Sequence, residues 1–88
     1  MASLEESLAA ASTIVEYLGD WFDRAGVCCS LDPEARDHLL TFEVGRGARE
    51  VAIAVQVEEL AVSRETERAI HKLAARVANR ANRELARR

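Results

Sequence analysis

Residues 51 to 58 alternate with a period of two, Val51, Ile53, Val55 and Val57 against Ala52, Ala54, Gln56 and Glu58. Such a run is a strand whose β-branched side must be buried, while its small, partly polar side tolerates solvent or loose cover. The stretches before and after follow a helical period instead. Amphipathic helices on either side of a one-faced strand are expected to pack over the apolar side of a sheet.

The first helix is predicted to start at a capping box, Ser3 with Glu6, in which the serine accepts from a free N–H and the glutamate reaches back. From there Leu4, Leu8, Ala11, Val15, Leu18, Phe22 and Ala25 recur at steps of three and four, and Ile14 and Trp21 widen the stripe. Gly26 is expected to end this helix in the left-handed conformation. On the flank, Glu5, Glu16, Asp20 and Asp23 project within about 60° of one another and make an acidic stripe.

Two further strands are predicted. Val27, Cys29 and Leu31 alternate with Cys28 and Ser30, and Asp32-Pro33 then supplies a turn. His38, Leu40, Phe42 and Val44 share one face of the next strand, and Gly45 to Ala48 reads as a short hairpin loop. Ser63 is the expected N-cap of a final helix, with Glu65 and Glu67 in its first turns, where the helix dipole favours negative charge. Its apolar face is Ile70, Leu73, Ala74, Val77, Ala78, Ala81 and Leu85. Lys72, Arg76, Arg80, Arg83 and Arg87 fall within about 80° on the opposite side.

The expected architecture is therefore a single α+β domain over residues 1–88, ordered helix, three-stranded antiparallel meander, helix, with two long amphipathic helices on one face of the sheet. Sixteen of its hydrophobic residues are alanine, which leaves a thin core and favours self-association. The charge is unevenly placed. Residues 72–88 hold six Lys or Arg against one Glu, while residues 1–71 hold six against fourteen acids, so a basic tail is joined to a small acidic protein.

The element order resembles that of the double-stranded RNA-binding domain, and the likeness spans most of the chain. The positions matching that family's lysine cluster, at the start of its second helix, read Ser63-Arg64-Glu65-Thr66-Glu67-Arg68. Two glutamates stand where phosphate would sit, so the resemblance implies an architecture and its RNA-binding role does not carry over. Small acidic secretion chaperones are similar in beginning with a helix and a strand meander.

Candidate chemistry is sparse. His38 and His71 are the only histidines, one on a strand and one on a helix, which is poor material for an acid–base or nucleophilic centre. Adjacent Cys28 and Cys29 lack the C-x-x-C spacing of redox and zinc sites, and as strand neighbours they would point to opposite faces. Gly45-Arg46-Gly47 resembles a fragment of a phosphate loop, but no helix follows it, so turn glycines explain it better. No catalytic residue, cofactor or metal is expected, and the chain is not expected to be an enzyme.

With no apolar run long enough for a membrane and no basic-then-apolar leader pattern, a cytoplasmic protein without a membrane partner is expected. The favoured function is a non-catalytic protein–protein interaction module, a homodimer acting as a small adaptor, chaperone or inhibitor. A heterologous protein partner is the other form of the same reading. Trp21, Phe22, Lys72, Arg76, Arg80, Arg83 and Arg87 are the candidate contact residues. The acidic stripe of the first helix complements the basic stripe of the last, so two copies could pair through them. The alternative is nucleic-acid binding, with arginines at successive turns following a phosphate backbone, opposed by the net negative remainder of the chain.

Overall fold

A computed structural model describes residues 4–31, 38–57, 59–60 and 65–87, with side chains at 7–27, 39–57, 59–60 and 65–87. The order is α1 (Leu4–Trp21), β1 (Arg24–Leu31), β2 (His38–Arg46), β3 (Arg49–Gln56) and α2 (Glu67–Ala86). The strands form one antiparallel sheet in the order β1-β2-β3. Leu40, Phe42 and Val44 of β2 and Val51, Ile53 and Val55 of β3 are buried on one face, where α1 and α2 supply Ala11, Ile14, Leu18, Leu73, Ala74, Val77, Ala81 and Leu85. The other face holds exposed Glu43, Ala52, Ala54 and Gln56 with half-buried Thr41. The smallest Cα extent is 16 Å, the depth of one helical layer on one sheet.

Both helices run towards the β2–β3 hairpin. Ser7, near the start of α1, donates through Oγ to the carbonyl of Val57 at 3.0 Å, whereas Asp23, just past its end, donates its N–H to Gly45 O at 2.9 Å. For α2, Leu73 and Val77 lie beside Ile53 and Val55, and Leu85 O accepts from Arg49 at the hairpin.

Several boundaries differ from the sequence expectation, each for a physical reason. The last bond of α1 is Phe22 N–H to Leu18 O, after which the backbone of Asp23 is captured by the hairpin. The chain therefore enters β1 at Arg24, and Gly26 pairs with Glu43 in the sheet instead of ending the helix; Ala25 is likewise a strand residue. The buried stripe of α1 is rotated towards Ser7, Ala10, Ile14 and Leu18, leaving Leu8 37% exposed. The helix has to meet α2 as well as the sheet, which favours this rotation. Ser7 is fully buried yet satisfied by its bond to Val57 O.

The hairpin loop is shorter than expected. Arg46 pairs with Arg49, leaving only Gly47-Ala48 as a two-residue loop, and Gly47 takes φ of +63° as the first central position of such turns requires. Gly45 belongs to β2, where the Arg24 guanidinium is laid across it, 2.8 Å from where a Cβ would stand, on an exposed side chain free to shift. β3 ends at Gln56, and Val57, Glu59 and Leu60 have helical backbone, with Val57 and Leu60 still buried. The N-cap of α2 is Thr66, in extended conformation, with its hydroxyl accepting from Ala69 N–H at 3.0 Å. Glu65 therefore precedes the cap and Glu67 opens the first turn. Ser3, Asp32, Pro33 and Ser63 lie outside the described residues. No described helix is long and apolar enough to cross a membrane.

Candidate interaction surfaces

Three groups of polar and aromatic side chains lie at the surface, and they differ in how far the fold has already used them. At the hairpin end, the Arg46 guanidinium donates to Asn82 Oδ1 at 2.8 Å and to Trp21 O at 3.0 Å, and its carbon sits 4.7 Å from the centroid of Phe22. Arg49 donates to Leu85 O at 2.9 Å, occupying a carbonyl near the C-terminus of α2, where a cation also complements the helix dipole. Arg24 donates to Gly47 O at 3.3 Å, and Gly47 N–H donates to Asp23 Oδ2 at 2.6 Å. A cleft of about 420 Å³ opens between Arg46, Arg49, Asn82, Leu85 and Ala86. Its arginines are already bonded to the fold. Gly45-Arg46-Gly47 is thus a strand end and a tight turn, with its cation turned onto both helices.

Phe22 is a core residue at 5% exposure beneath Arg46. Trp21 is exposed at 38% and belongs to the second group. Its ring stacks with Tyr17 at 6.0 Å, one turn earlier on α1, and both meet His71 of α2 edge-on, at 5.1 Å from Tyr17 and 5.9 Å from Trp21. Tyr17 is half-buried and His71 exposed, so the seam between the helices is an aromatic strip open to the outside. The i, i+4 spacing of Tyr17 and Trp21 is the sequence signal for half of it. Nothing local announces His71, fifty or more residues away.

Projected at 100° per residue, Glu16 and Asp20 lie opposite the buried arc of α1, and Lys72 and Arg83 opposite that of α2. The aromatic seam therefore runs with carboxylates on one side and cations on the other. All four charged residues are exposed, and none of their side chains has a hydrogen-bond or ion-pair partner among the described residues. The described acids of α1 thus make no ion pair with α2 within the chain. Glu5 is outside the described side chains, and Asp23 is spent on the hairpin.

The third group is the β3 side of α2. Arg76 and Arg80 line a groove with Leu73 and Val77 below and Ile53, Ala54 and Val55 of β3 alongside. Arg76 holds Glu59 at 2.7 Å, both partly open to solvent; Arg80 has no such partner among the described residues. Arg87 lies 3.7 Å from Glu84 and its N–H caps Arg83 O at 3.2 Å. The five cations expected to form one stripe are all exposed and project within about 80° of one another, and of them Arg76 and Arg80 line the groove beside β3.

For the cysteines and His38, only the backbone is described: Cys28 pairs with Thr41, Cys29 with Leu40 and Leu31 with His38. Among the described residues no three His, Cys, Asp or Glu side chains gather as metal ligands would. Comparison with family models, curated proteins and solved structures gives no match.

Proposed function

We propose that this chain is a non-catalytic protein–protein interaction module that works as a homodimer through the outer surface of its two helices, in the manner of a small adaptor, chaperone or inhibitor. The observation that carries this is the open Tyr17–Trp21–His71 seam, flanked by unpartnered Glu16 and Asp20 on one side and Lys72 and Arg83 on the other. Two copies laid helix layer on helix layer, related by a twofold axis through the seam, bring aromatic onto aromatic and the acids of each α1 onto the cations of the opposite α2. Aromatic burial supplies the affinity, and charge matching sets orientation and association rate.

Light scattering over a salt and concentration series tests this. The expected result is a dimer at low ionic strength that shifts towards monomer as salt rises, because exposed pairs are screened. A monomer at every concentration and ionic strength sinks the proposal. The same samples titrated with mixed-sequence duplex and single-stranded nucleic acid separate the alternative, which requires retention at low salt that falls steeply as salt is added.

A further inference from the structure

β3 is a terminal strand of the sheet among the described residues, so one side of its backbone has no strand partner. Open edges of this kind accept further strands unless something blocks them. Here the edge is bordered by the Arg76–Arg80 row of α2, with the apolar floor of Ile53, Val55, Leu73 and Val77 between. We propose that this edge takes up an extended acidic segment of another protein as a fourth strand, with carboxylates at alternate positions seated on Arg76 and Arg80.

Three features specify that occupant. The first is an internal precedent: the carboxylate of Glu59 already binds Arg76 at 2.7 Å at one end of the groove, so a carboxylate fits this position. The second is spacing. Arg76 and Arg80 are four residues apart, about 6 Å along a helix, and residues i and i+2 of a strand are about 6.8 Å apart on one face. An acid-x-acid strand therefore presents its carboxylates in step with the two guanidinium groups, and the intervening side chains fall on the open face beside Ala52 and Ala54.

The third is exclusion of the nearest competitor, a second copy of the same chain. Antiparallel β3–β3 pairing about a twofold axis places α2 beside α2 on the same face of the joined sheet, setting the Arg76–Arg80 rows of both copies against each other. Like charges in that position oppose self-pairing and leave the edge to an acidic strand. This surface is separate from the aromatic seam, so the two readings stand or fall independently.

The test is fluorescence anisotropy with a labelled eight-residue peptide of alternating threonine and glutamate, against the threonine–lysine counterpart and a threonine–glutamate peptide N-methylated at alternate residues. The acidic peptide is expected to bind the full chain, the lysine peptide not. Arg80→Glu, at an exposed side chain, is expected to weaken binding about tenfold and Arg80→Gln less, while Arg68→Glu, exposed in the first turn of α2 and outside the groove, changes it less than about threefold. N-methylation, which removes edge hydrogen bonds but keeps the charges, is expected to abolish binding. Equal binding of the acidic and lysine peptides, equal loss from Arg80→Glu and Arg68→Glu, or undiminished binding of the N-methylated peptide each overturns the proposal.

Discussion

Arginines at the hairpin end and arginines on the β3 side of α2 carry the same charge but occupy opposite energetic situations. Arg24, Arg46 and Arg49 donate to the backbone carbonyls of Gly47, Trp21 and Leu85, and Arg46 also reaches Asn82 and covers Phe22. They hold the ends of both helices to the turn. Arg80 donates to no described residue, and Arg76 has only an exposed carboxylate. A cation's role thus follows from which elements converge around it: three elements meet at the hairpin, whereas α2 and a strand edge leave a side open.

That contrast can be broken by urea unfolding of single variants. The largest effect is expected for Phe22→Ala, which empties a buried aromatic site beneath Arg46 and should cost about 3 to 5 kcal/mol. Arg46→Ala comes next, at about 1 to 3 kcal/mol, for the loss of two charge-assisted hydrogen bonds and the contact with the Phe22 ring. Gly47→Ala should cost about 1 to 2 kcal/mol, because a side chain at φ of +63° is strained. Arg76→Ala is expected to cost under about 1 kcal/mol, as exposed ion pairs do, and Arg80→Ala to change stability by no more than about 0.5 kcal/mol. If Arg80→Ala destabilised the chain as much as Arg46→Ala, the division between structural and free arginines would fail.

The parts of the fold that were legible in the sequence are those in which burial repeats with a regular period. Val51, Ile53 and Val55, and the apolar face of α2 from Leu73 to Leu85, are buried as their spacing predicts. The order of elements followed from these and from the alternation around Leu40, Phe42 and Val44. What escaped depends on contacts between distant residues. Gly26 has the composition of a helix stop, but the hold of Gly45 and Gly47 on Asp23 ends α1 earlier and draws Gly26 into the sheet. Ser63 and Thr66 are both competent N-caps by type, and local sequence does not separate them.

The candidate surface divides in the same way. Exposure of the basic residues on α2 was readable from the helical period, since they fall opposite the apolar stripe. Which of them border the sheet edge, Arg76 and Arg80, was not, because it depends on where β3 lies beside the helix. Trp21 and Phe22 are neighbours in sequence, yet one ends on an open seam and the other in the core, because the chain turns away from the helix between them.

The pairing of α1 against α2 across two copies is tested most directly by exchanging the charges. One variant carries Glu16→Arg and Asp20→Arg, the other Lys72→Glu and Arg83→Glu, and sedimentation velocity is run on each alone and on an equimolar mixture. Each variant alone places like charges at both contacts and is expected to be monomeric, while the mixture restores opposite charges at both and is expected to sediment as a dimer. Variants that dimerise alone as the parent chain does, or a mixture that stays monomeric, would contradict the account.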